Sequence, residues 1–325
     1  RVIGMFDKEY RPTLAQLRTF VTIAENKHFG TAAQKLRISQ PSLSQALVAL
    51  EQGLEIQLIE RSTRKVIVTS AGERLLPYAK ATLEAADIFL THARGTHGEL
   101  AGPLTIGMIP TVTPYILPQI LTDIKTQFPD LEPRIVEEQT THLTQKLRDG
   151  QLDMAIIALP AEGSGLVSVP LYRERFSIVL PEGHPLSGHT DVTLSQIKDL
   201  ELLLLDDGHC LRDQIMDLCR RADLNPSDAT NSITRASSLT TIIQLVLGGL
   251  GSTLLPESAV ATEYTNDKLN LATFRDDVVA EREIGLVFRA SAARSEEFRH
   301  FGELVVQAFE AAVARSRKVL AEKIG

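Results

Sequence analysis

Residues 14–76 read LAQLRTFVTIAENKHFGTAAQKLRISQPSLSQALVALEQGLEIQLIERSTRKVIVTSAGERLL, and this stretch decides the fold of the N-terminal part of the chain. It opens on a capping box formed by Thr13 and Gln16, after which apolar residues recur at helical spacing. Gly30 interrupts the pattern, and a short second helix is predicted over residues 31–36. The chain therefore begins with two helices of unequal length.

A third helix is predicted over residues 40–51, because a serine N-cap followed by a proline in the first turn is a strong start signal. Two short helices joined by a tight turn, with short polar side chains displayed on the second, describe a helix-turn-helix that reads base edges of double-stranded DNA. The candidate DNA contacts are Gln40, Pro41, Ser42, Ser44 and Gln45. The alternative is a generic three-helix module with a solvated polar face.

A basic turn leading into a strand follows at residues 60–69. It has the pattern of a wing beside the helix-turn-helix, and Arg61, Arg64 and Lys65 would contact DNA phosphates there. The net charge supports this placement. Residues 1–95 carry 13 Lys and Arg against 9 Asp and Glu, whereas the whole chain has a net charge of −7. A mildly basic head on an acidic body suits a domain that meets a polyanion.

A long helix is predicted next, starting at a second capping box formed by Ser70 and Glu73. Pro77 lies past its first turn and is expected to kink it. Apolar residues repeat along it by three and four, which is typical of a coiled-coil seam between two subunits. The seam residues are Leu76, Ala79, Leu83, Ala86 and Leu90. Packing of this helix on its own domain is the alternative.

The remainder of the chain alternates strand and helix patterns, which predicts an α/β domain with parallel strands. Strands are predicted near residues 104–109, 134–138 and 154–158, and helices at about 114–128 and 140–149. A strand over 167–180 would cross to a second lobe, and one over 284–288 would return, before a final helix at about 293–315. The second lobe would contain a strand at 202–205, a cysteine helix, a strand at 230–235, a helix at 238–247 and a strand at 252–255. A small molecule would bind between the lobes.

The only two cysteines are Cys210 and Cys219, and both fall in the cysteine helix. Cys210 follows Asp-Asp-Gly-His in the first turn, where free N–H groups and the helix dipole favour a thiolate. Nine residues of unbroken helix would separate the two Cα atoms by about 13–14 Å and turn the side chains to opposite faces. A disulfide needs Cα atoms within roughly 7 Å. The segment is therefore a possible two-state element that oxidation would rebuild.

Residues 14–76 resemble the DNA-binding domain of LysR-type transcriptional regulators along their whole length. The resemblance implies an all-α winged helix-turn-helix with a linker helix, then an α/β two-lobed effector domain like periplasmic binding proteins. We expect a DNA-binding domain at 5–70, a dimerisation helix at 71–95, a hinge at 96–102 and an effector domain at 103–325. Lobe I would cover about 103–166 and 281–314, and lobe II about 167–280. Expected partners are promoter DNA, further copies in a homodimer or homotetramer, and RNA polymerase.

The segment 207–214 (DGHCLRDQ), with Cys219 nine positions after Cys210, resembles the peroxide-sensing members of that family, as do residues 109–118 and 138–140. This resemblance implies that hydrogen peroxide oxidises Cys210 to a sulfenic acid and that Cys219 resolves it to a disulfide. It assigns Thr111 and Thr140 to orienting the peroxide and places His209 beside the nucleophile. Arg282 is our assignment for the cationic group.

Alternatives remain for each assignment. Thr111 has the pattern of a helix N-cap, His209 of a backbone hydrogen-bonding residue, and Cys219 of an inert core residue. Asp206 and Asp207 would disfavour a thiolate if they approached it. A LysR-type regulator of an organic effector and, less favoured, a thiol peroxidase are the competing functions, although we expect no enzyme. We expect no metal site and no cofactor. With no apolar run that spans a bilayer and no secretory leader, we expect a cytoplasmic protein without a membrane partner.

Overall fold

The computed structural model describes residues 10–61, 66–93, 100–161, 163–222 and 236–324, which divide into two compact units. The first unit is formed mainly by residues up to 93 and the second by residues from 100 onward. The first contains α1 (Leu14–Asn26), α2 (Phe29–Leu36), α3 (Gln40–Leu54), β1 (Ile59–Arg61), β2 (Val66–Val68) and α4 (Ser70–Ala93).

The helix-turn-helix is formed by α2 and α3, as the sequence predicts. α2 begins at residue 29 rather than 31, because the His28 side chain accepts the N–H of Thr31 and caps it. It ends at Arg37, whose left-handed backbone (φ 54) turns the chain. Ser39 then caps α3 by accepting the N–H of Ser42, and Pro41 lies in the first turn. The predicted start of this helix is confirmed, and its end lies three residues beyond the predicted one.

The core of the first unit is apolar. Leu43, Leu47 and Leu50 of α3 are buried together with Phe20 and Ile23 of α1. These five side chains fix which face of α3 points inward, so the polar face at its start is left outside.

A two-stranded antiparallel hairpin, β1 with β2, follows the three helices. The carboxylate of Glu51 holds its start by accepting the N–H groups of Leu58 (2.8 Å) and Ile59 (2.9 Å). Thr69 caps α4 by accepting the N–H of Gly72 (3.0 Å). The prediction that Ser70 is the cap is therefore wrong by one residue, since Ser70 is already the first residue of the helix.

The start of α4 packs on its own unit. Ala79 and Leu83, two residues of the predicted seam, are buried in the core that contains α1 and α3, and Leu76 packs against it. Farther along, Phe89 and Leu90 are 71% and 50% exposed. The helix runs without a break through Pro77. Own-domain packing, the alternative considered for this seam, therefore applies to its first half.

The second unit is an α/β structure built around one long strand. Its elements are β3 (Gly102–Met108), α5 (Thr113–Gln127), β4 (Leu131–Glu137), α6 (Thr140–Arg148), β5 (Met154–Leu159), β6 (Leu166–Leu180), α7 (Cys210–Arg221), α8 (Leu239–Leu247), β7 (Thr253–Pro256), α9 (Val260–Glu263), β8 (Asn270–Thr273), β9 (Glu281–Arg289) and α10 (Ser295–Ile324), with 3-10 turns at Leu194–Asp199 and Glu257–Ala259.

The strands follow the order β4-β3-β5-β9-β6-β7, and β8 also pairs with β6. β3 lies parallel to β4 and β5, as predicted, whereas β9 is antiparallel to both β5 and β6. β6 pairs with β9 through Arg175 and with β7 and β8 beyond it. β6 therefore changes partners along its length, and its predicted passage into a second lobe stays a prediction. In the shared register, Glu174 stands opposite Arg282.

Several predicted elements of this unit need correction. The apolar run 202–205 is not a strand, since only Leu202 and Leu205 form isolated bridges, to Ser252 and Ala236. Burial of the run explains its apolar pattern. β8 and both 3-10 turns were not predicted, and α10 extends nine residues past its predicted end. The strand predicted at 230–235 lies outside the described residues.

Candidate functional site

Cys210 is the first residue of α7, as predicted, and its thiol is free and partly exposed. His209 occupies the N-cap position, but its side chain accepts no N–H of the helix. The first turn therefore keeps donors available, and the positive end of the helix dipole lies at the sulfur.

Gly208 lies in the turn before Cys210, where the chain comes close to Gln139 at the start of α6. Its φ of +91° suits glycine, and a Cβ there would lie 2.4 Å from the Gln139 side-chain oxygen. Gln139 also donates from Nε2 to the carbonyl of Asp207 (3.3 Å). Because Thr140 follows Gln139 at the start of α6, this close approach places α6 beside the cysteine turn.

A buried arginine on β9, Arg282, links β6 to the segment that follows β3. Arg282 donates from Nε to Oε2 of Glu174 (2.9 Å) and from Nη1 to the hydroxyl of Thr111 (2.8 Å). Its Nη2 also donates to the carbonyl of Thr111 (2.9 Å). The side chains of Arg282 and Glu174 are both fully buried.

The pKa of Arg282 is set by its burial and by nearby negative charges. Burial lowers the pKa of Arg282, but the negative charges of Glu174 and of a Cys210 thiolate raise it, and the net direction is upward. The guanidinium therefore stays charged. That Arg282 supplies the cation beside the nucleophile stays a prediction.

Thr111 is not a helix cap. The N-cap of α5 is Val112, and it makes no side-chain cap bond. Because the Thr111 oxygen accepts from Arg282, its own hydrogen remains available for donation. The N-cap interpretation of Thr111 is therefore wrong.

Three buried side-chain oxygens near the cysteine turn have no hydrogen-bond partner in the part of the chain that is described. They are the Thr140 hydroxyl, Oε1 of Gln214 and Oδ1 of Asp206. Gln214 lies one helical turn after Cys210 on α7. Buried polar atoms are normally paired, so a small molecule that supplies hydrogen bonds is favoured here.

Two charged or titratable neighbours of Cys210, His209 and Asp207, are set by their own surroundings. Burial lowers the pKa of His209, an effect that Asp206 partly offsets, so the imidazole is neutral near pH 7. Asp207 is paired with Arg212 at 3.0 Å, which offsets its negative charge. Arg212 is held in turn by the carbonyl of Leu205 (3.1 Å).

Cys219 has the opposite environment. It is 1% exposed and belongs to the apolar stripe of α7 with Leu211, Ile215 and Leu218. Burial raises the pKa of its thiol, against a smaller lowering by Arg220. Cys219 is therefore a protonated thiol that peroxide reaches poorly while α7 is intact.

Comparison with known proteins identifies the family. Residues 97–310 match the LysR substrate binding domain, and residues 14–73 match the bacterial regulatory helix-turn-helix protein of the lysR family. The chain belongs to the LysR family. The second unit of this LysR-family chain is thus the regulatory domain, and the first is its helix-turn-helix domain.

Relatives within the LysR family are similar over nearly the whole chain. A probable hydrogen peroxide-inducible genes activator of Mycobacterium leprae is 49% identical over 301 residues, which cover 93% of this chain and 96% of the relative. Among solved structures, a Corynebacterium glutamicum OxyR mutant with bound hydrogen peroxide is 62% identical, with a TM-score of 0.69 and coverage of 96% and 97%. A full-length Pseudomonas aeruginosa OxyR variant is 33% identical, with a TM-score of 0.74 and coverage of 91% and 98%.

The predicted DNA contacts of this LysR-family chain lie at the start and outer face of α3. Gln40, Pro41, Ser42 and Gln45 are exposed, whereas Ser44 is half-buried. The hydroxyls of Ser42 and Ser39 share a hydrogen bond (2.8 Å). Of the predicted phosphate contacts, only the backbone of Arg61 is described, and residues 64 and 65 lie outside the described residues.

Sequence reasoning missed two residues of the site, Glu174 and Ser258. Ser258 donates its N–H (2.9 Å) and its hydroxyl to Glu174. A signal for Glu174 was present, because Tyr172, Glu174 and Phe176 alternate with exposed arginines along β6 and so share its buried face. Ser258 carried no such signal, since it lies in a short 3-10 turn.

Among the described residues, no group of three or more His, Cys, Asp or Glu is arranged to hold a metal ion. None of the helices they form is both long and apolar enough to cross a bilayer.

Proposed function

We propose that this chain is a DNA-binding transcriptional regulator of the oxidative stress response that senses hydrogen peroxide through Cys210. One observation carries the proposal: a free, partly exposed thiol stands at the first residue of a helix, and the turn around it contains buried oxygens that have no hydrogen-bond partner among the described residues. The similarity to hydrogen peroxide-inducible genes activators and to OxyR supports it over most of the chain.

The first chemical step oxidises Cys210. Its thiolate attacks one peroxide oxygen, a sulfur–oxygen bond forms, and the oxygen–oxygen bond breaks. Sulfur loses two electrons, and the second oxygen leaves as hydroxide that takes up a proton to become water. Thr111 and Thr140 would orient the peroxide through their hydroxyls, with neutral His209 beside them. Arg282 would stabilise the charge on the departing oxygen.

The second step uses Cys219. Its thiol attacks the sulfenic acid sulfur, water leaves, and a disulfide forms. In the intact helix the two Cα atoms are about 13–14 Å apart, twice the distance that a disulfide spans. Formation of the bond therefore requires α7 to open and Cys219 to leave its buried position. The opening of α7 would be the structural change that signals oxidation of Cys210.

The output would be a change in how two recognition helices meet DNA. Residues 5–70 would act as a winged helix-turn-helix, with Gln40, Pro41, Ser42, Ser44 and Gln45 at base edges. Residues 61, 64 and 65 would meet phosphates. Residues 71–95 would pair two subunits, and residues 103–325 would form a two-lobed effector domain like periplasmic binding proteins, joined to the helix by the hinge at 96–102. A homotetramer in the cytoplasm that contacts RNA polymerase completes the proposal.

The test is a count of free thiols by alkylation and intact mass after seconds with equimolar hydrogen peroxide. The wild type should lose both thiols together with the two thiol hydrogens. Survival of both thiols in a protein that still binds DNA would contradict peroxide sensing and favour an organic effector.

Two cysteine variants fix the order of the steps. Cys210→Ser should keep the Cys219 thiol and show the same DNA footprint with and without peroxide. Cys219→Ser should still form a sulfenic acid at Cys210, at a rate within about twofold of the wild type, because the resolving thiol acts later. Loss of Cys210 oxidation in that variant would reverse the proposed order.

A further inference from the structure

The strands β6 and β9 place one buried carboxylate against the arginine of the site. Glu174 and Arg282 face each other in register, and their side chains are fully buried. We propose that Glu174 is a positioning residue for the peroxide step, which fixes the guanidinium of Arg282 so that one N–H points at the reacting oxygen. This inference rests on the proposed role of Cys210.

The carboxylate of Glu174 is held from two sides. Its Oε2 accepts a hydrogen bond from Nε of Arg282 (2.9 Å) and forms an ion pair with Nη2 (2.8 Å). Its Oε1 accepts the N–H of Ser258 (2.9 Å) and the Ser258 hydroxyl. Because both oxygens are bound, Glu174 cannot rotate without breaking hydrogen bonds, and this fixes the plane of the guanidinium.

Glu174 and Ser258 together form a clamp on Arg282, and this clamp leaves part of the guanidinium free to donate. An arginine has five N–H groups. Glu174 accepts Nε–H, the Thr111 carbonyl accepts one Nη2–H and the Thr111 hydroxyl accepts one Nη1–H. The second Nη2–H belongs to the side that forms the ion pair with Glu174 (2.8 Å). One Nη1–H has no acceptor within the described part of the chain. It is the donor left for the peroxide or the Cys210 sulfur.

That donor matters at one moment of the reaction. As the sulfur–oxygen bond forms and the oxygen–oxygen bond breaks, negative charge grows on the departing oxygen, which leaves as hydroxide and is protonated to water. A hydrogen bond stabilises this charge only if its donor is already aimed at that oxygen. The clamp by Glu174 and Ser258 provides this orientation.

The charge of Glu174 by itself acts in the opposite direction. A carboxylate near the site disfavours a second negative charge on Cys210. If Glu174 acted only through its charge, removal of that charge would leave the thiol at least as reactive toward every electrophile. If it acts through orientation, removal slows the peroxide reaction selectively.

The experiment compares two reactions of Cys210 in the full-length chain carrying Glu174→Gln. Hydrogen peroxide needs oriented oxygens, whereas iodoacetamide needs only a thiolate. We expect the rate constant for oxidation to fall by about tenfold or more, because misdirected donors cost this much. The alkylation rate, read at Cys210 by peptide mass, should equal or exceed that of the wild type.

Glu283→Gln is the matched control, since Glu283 follows Arg282 on the same strand but pairs with the exposed Arg173. Both of its rates should stay within about twofold of the wild type. Ser258→Ala keeps both buried charges and loosens the clamp, so it should show the same selective loss at about threefold. If circular dichroism shows that Glu174→Gln does not fold, Ser258→Ala provides the test instead.

Two results would overturn the proposal: an unchanged oxidation rate in the clamp variants, or equal losses of oxidation and alkylation, which would mark a purely structural role. A wild-type chain that peroxide does not oxidise at Cys210 would instead overturn the proposed function on which this inference rests.

Discussion

Arg282 and Cys210, the cation and the nucleophile of the proposed site, lie on elements that are held in different ways. Arg282 lies on β9, which is paired with β5 on one side and β6 on the other. Cys210 lies at the start of α7, a helix of 12 residues whose cap makes no side-chain hydrogen bond. The groups that must stay in place are thus on the sheet, and the thiols that must change partners are on a helix that can open.

The helix α7 depends on its neighbours for its order. A helix of this length is marginal in water on its own, so packing of its apolar stripe holds it. Its hydrogen bonds to other elements include those from Arg212 to Leu205 and from Arg221 to the Val279 carbonyl (2.8 Å). Cys219 is part of the stripe, and its withdrawal into a disulfide removes some of that packing.

Arg282→Ala should give the largest effect, because it removes the buried cation on β9. The carboxylate of Glu174 would then stay buried without its ion-pair partner. We expect the rate of Cys210 oxidation to fall roughly 100-fold. The free energy of unfolding should fall by about 3–5 kcal/mol. Peroxide kinetics and denaturant unfolding of the reduced protein measure the two losses.

Arg173→Ala is the control for this change. Arg173 bridges the same two strands through Glu281 and Glu283, but its side chain is 68% exposed. Its loss should cost less than about 1 kcal/mol and leave oxidation unchanged. Equal losses for Arg173→Ala and Arg282→Ala would remove the distinction between the buried and exposed pairs.

Thr140→Val should separate reactivity from stability. The Thr140 hydroxyl is buried without a partner among the described residues, so its removal should not lower the free energy of unfolding. The oxidation rate should fall about tenfold, because the peroxide loses one orienting hydrogen bond. Peroxide kinetics and thermal unfolding measure both quantities.

The exposed Thr141, its neighbour on α6, gives the matched control Thr141→Val. This variant should keep the wild-type oxidation rate. A drop in stability for Thr140→Val without a drop in oxidation rate would assign Thr140 to the fold rather than to the site.

Local sequence patterns predicted much of the helix α7 that carries both cysteines. The start of α7, the position of Cys210 in its first turn and the burial of Cys219 all follow from helical spacing and capping signals. The long strand β6 was also predictable from its sequence pattern. Each of these features depends on residues close together in the sequence.

The contacts that surround Arg282 on the sheet were harder to predict. Thr111 and Arg282 are 171 positions apart, and Glu174 and Ser258 are 84 apart, yet both pairs are hydrogen-bonded. Sheet register sets these contacts, and local spacing does not determine register between distant strands. Arg282 was found only by resemblance, and Glu174 was missed.

The pH dependence of stability should show the smallest effect. Burial lowers the pKa of His209 below its ordinary value of 6.5, so the unfolded chain binds more protons in that range. Stability contributed by neutral His209 is complete above about pH 6.5 and is lost as the pH falls toward the folded-state pKa. Thermal unfolding between pH 7 and 5 should show this fall. His209→Gln should reduce the slope, and His184, whose pKa burial also lowers, should account for part of the remainder. An unchanged slope in His209→Gln would place the titrating group elsewhere.

In the proposed switch, peroxide opens α7 while the paired strands stay intact, and hydrogen exchange read by mass spectrometry tests this most directly. After equimolar peroxide, the amides of residues 211–222 should exchange far faster than in the reduced protein, whereas those of β6 and β9 should keep their protection. Cys210→Ser should show no change. If both thiols were lost to a disulfide and residues 211–222 kept their protection, the proposed switch would be contradicted.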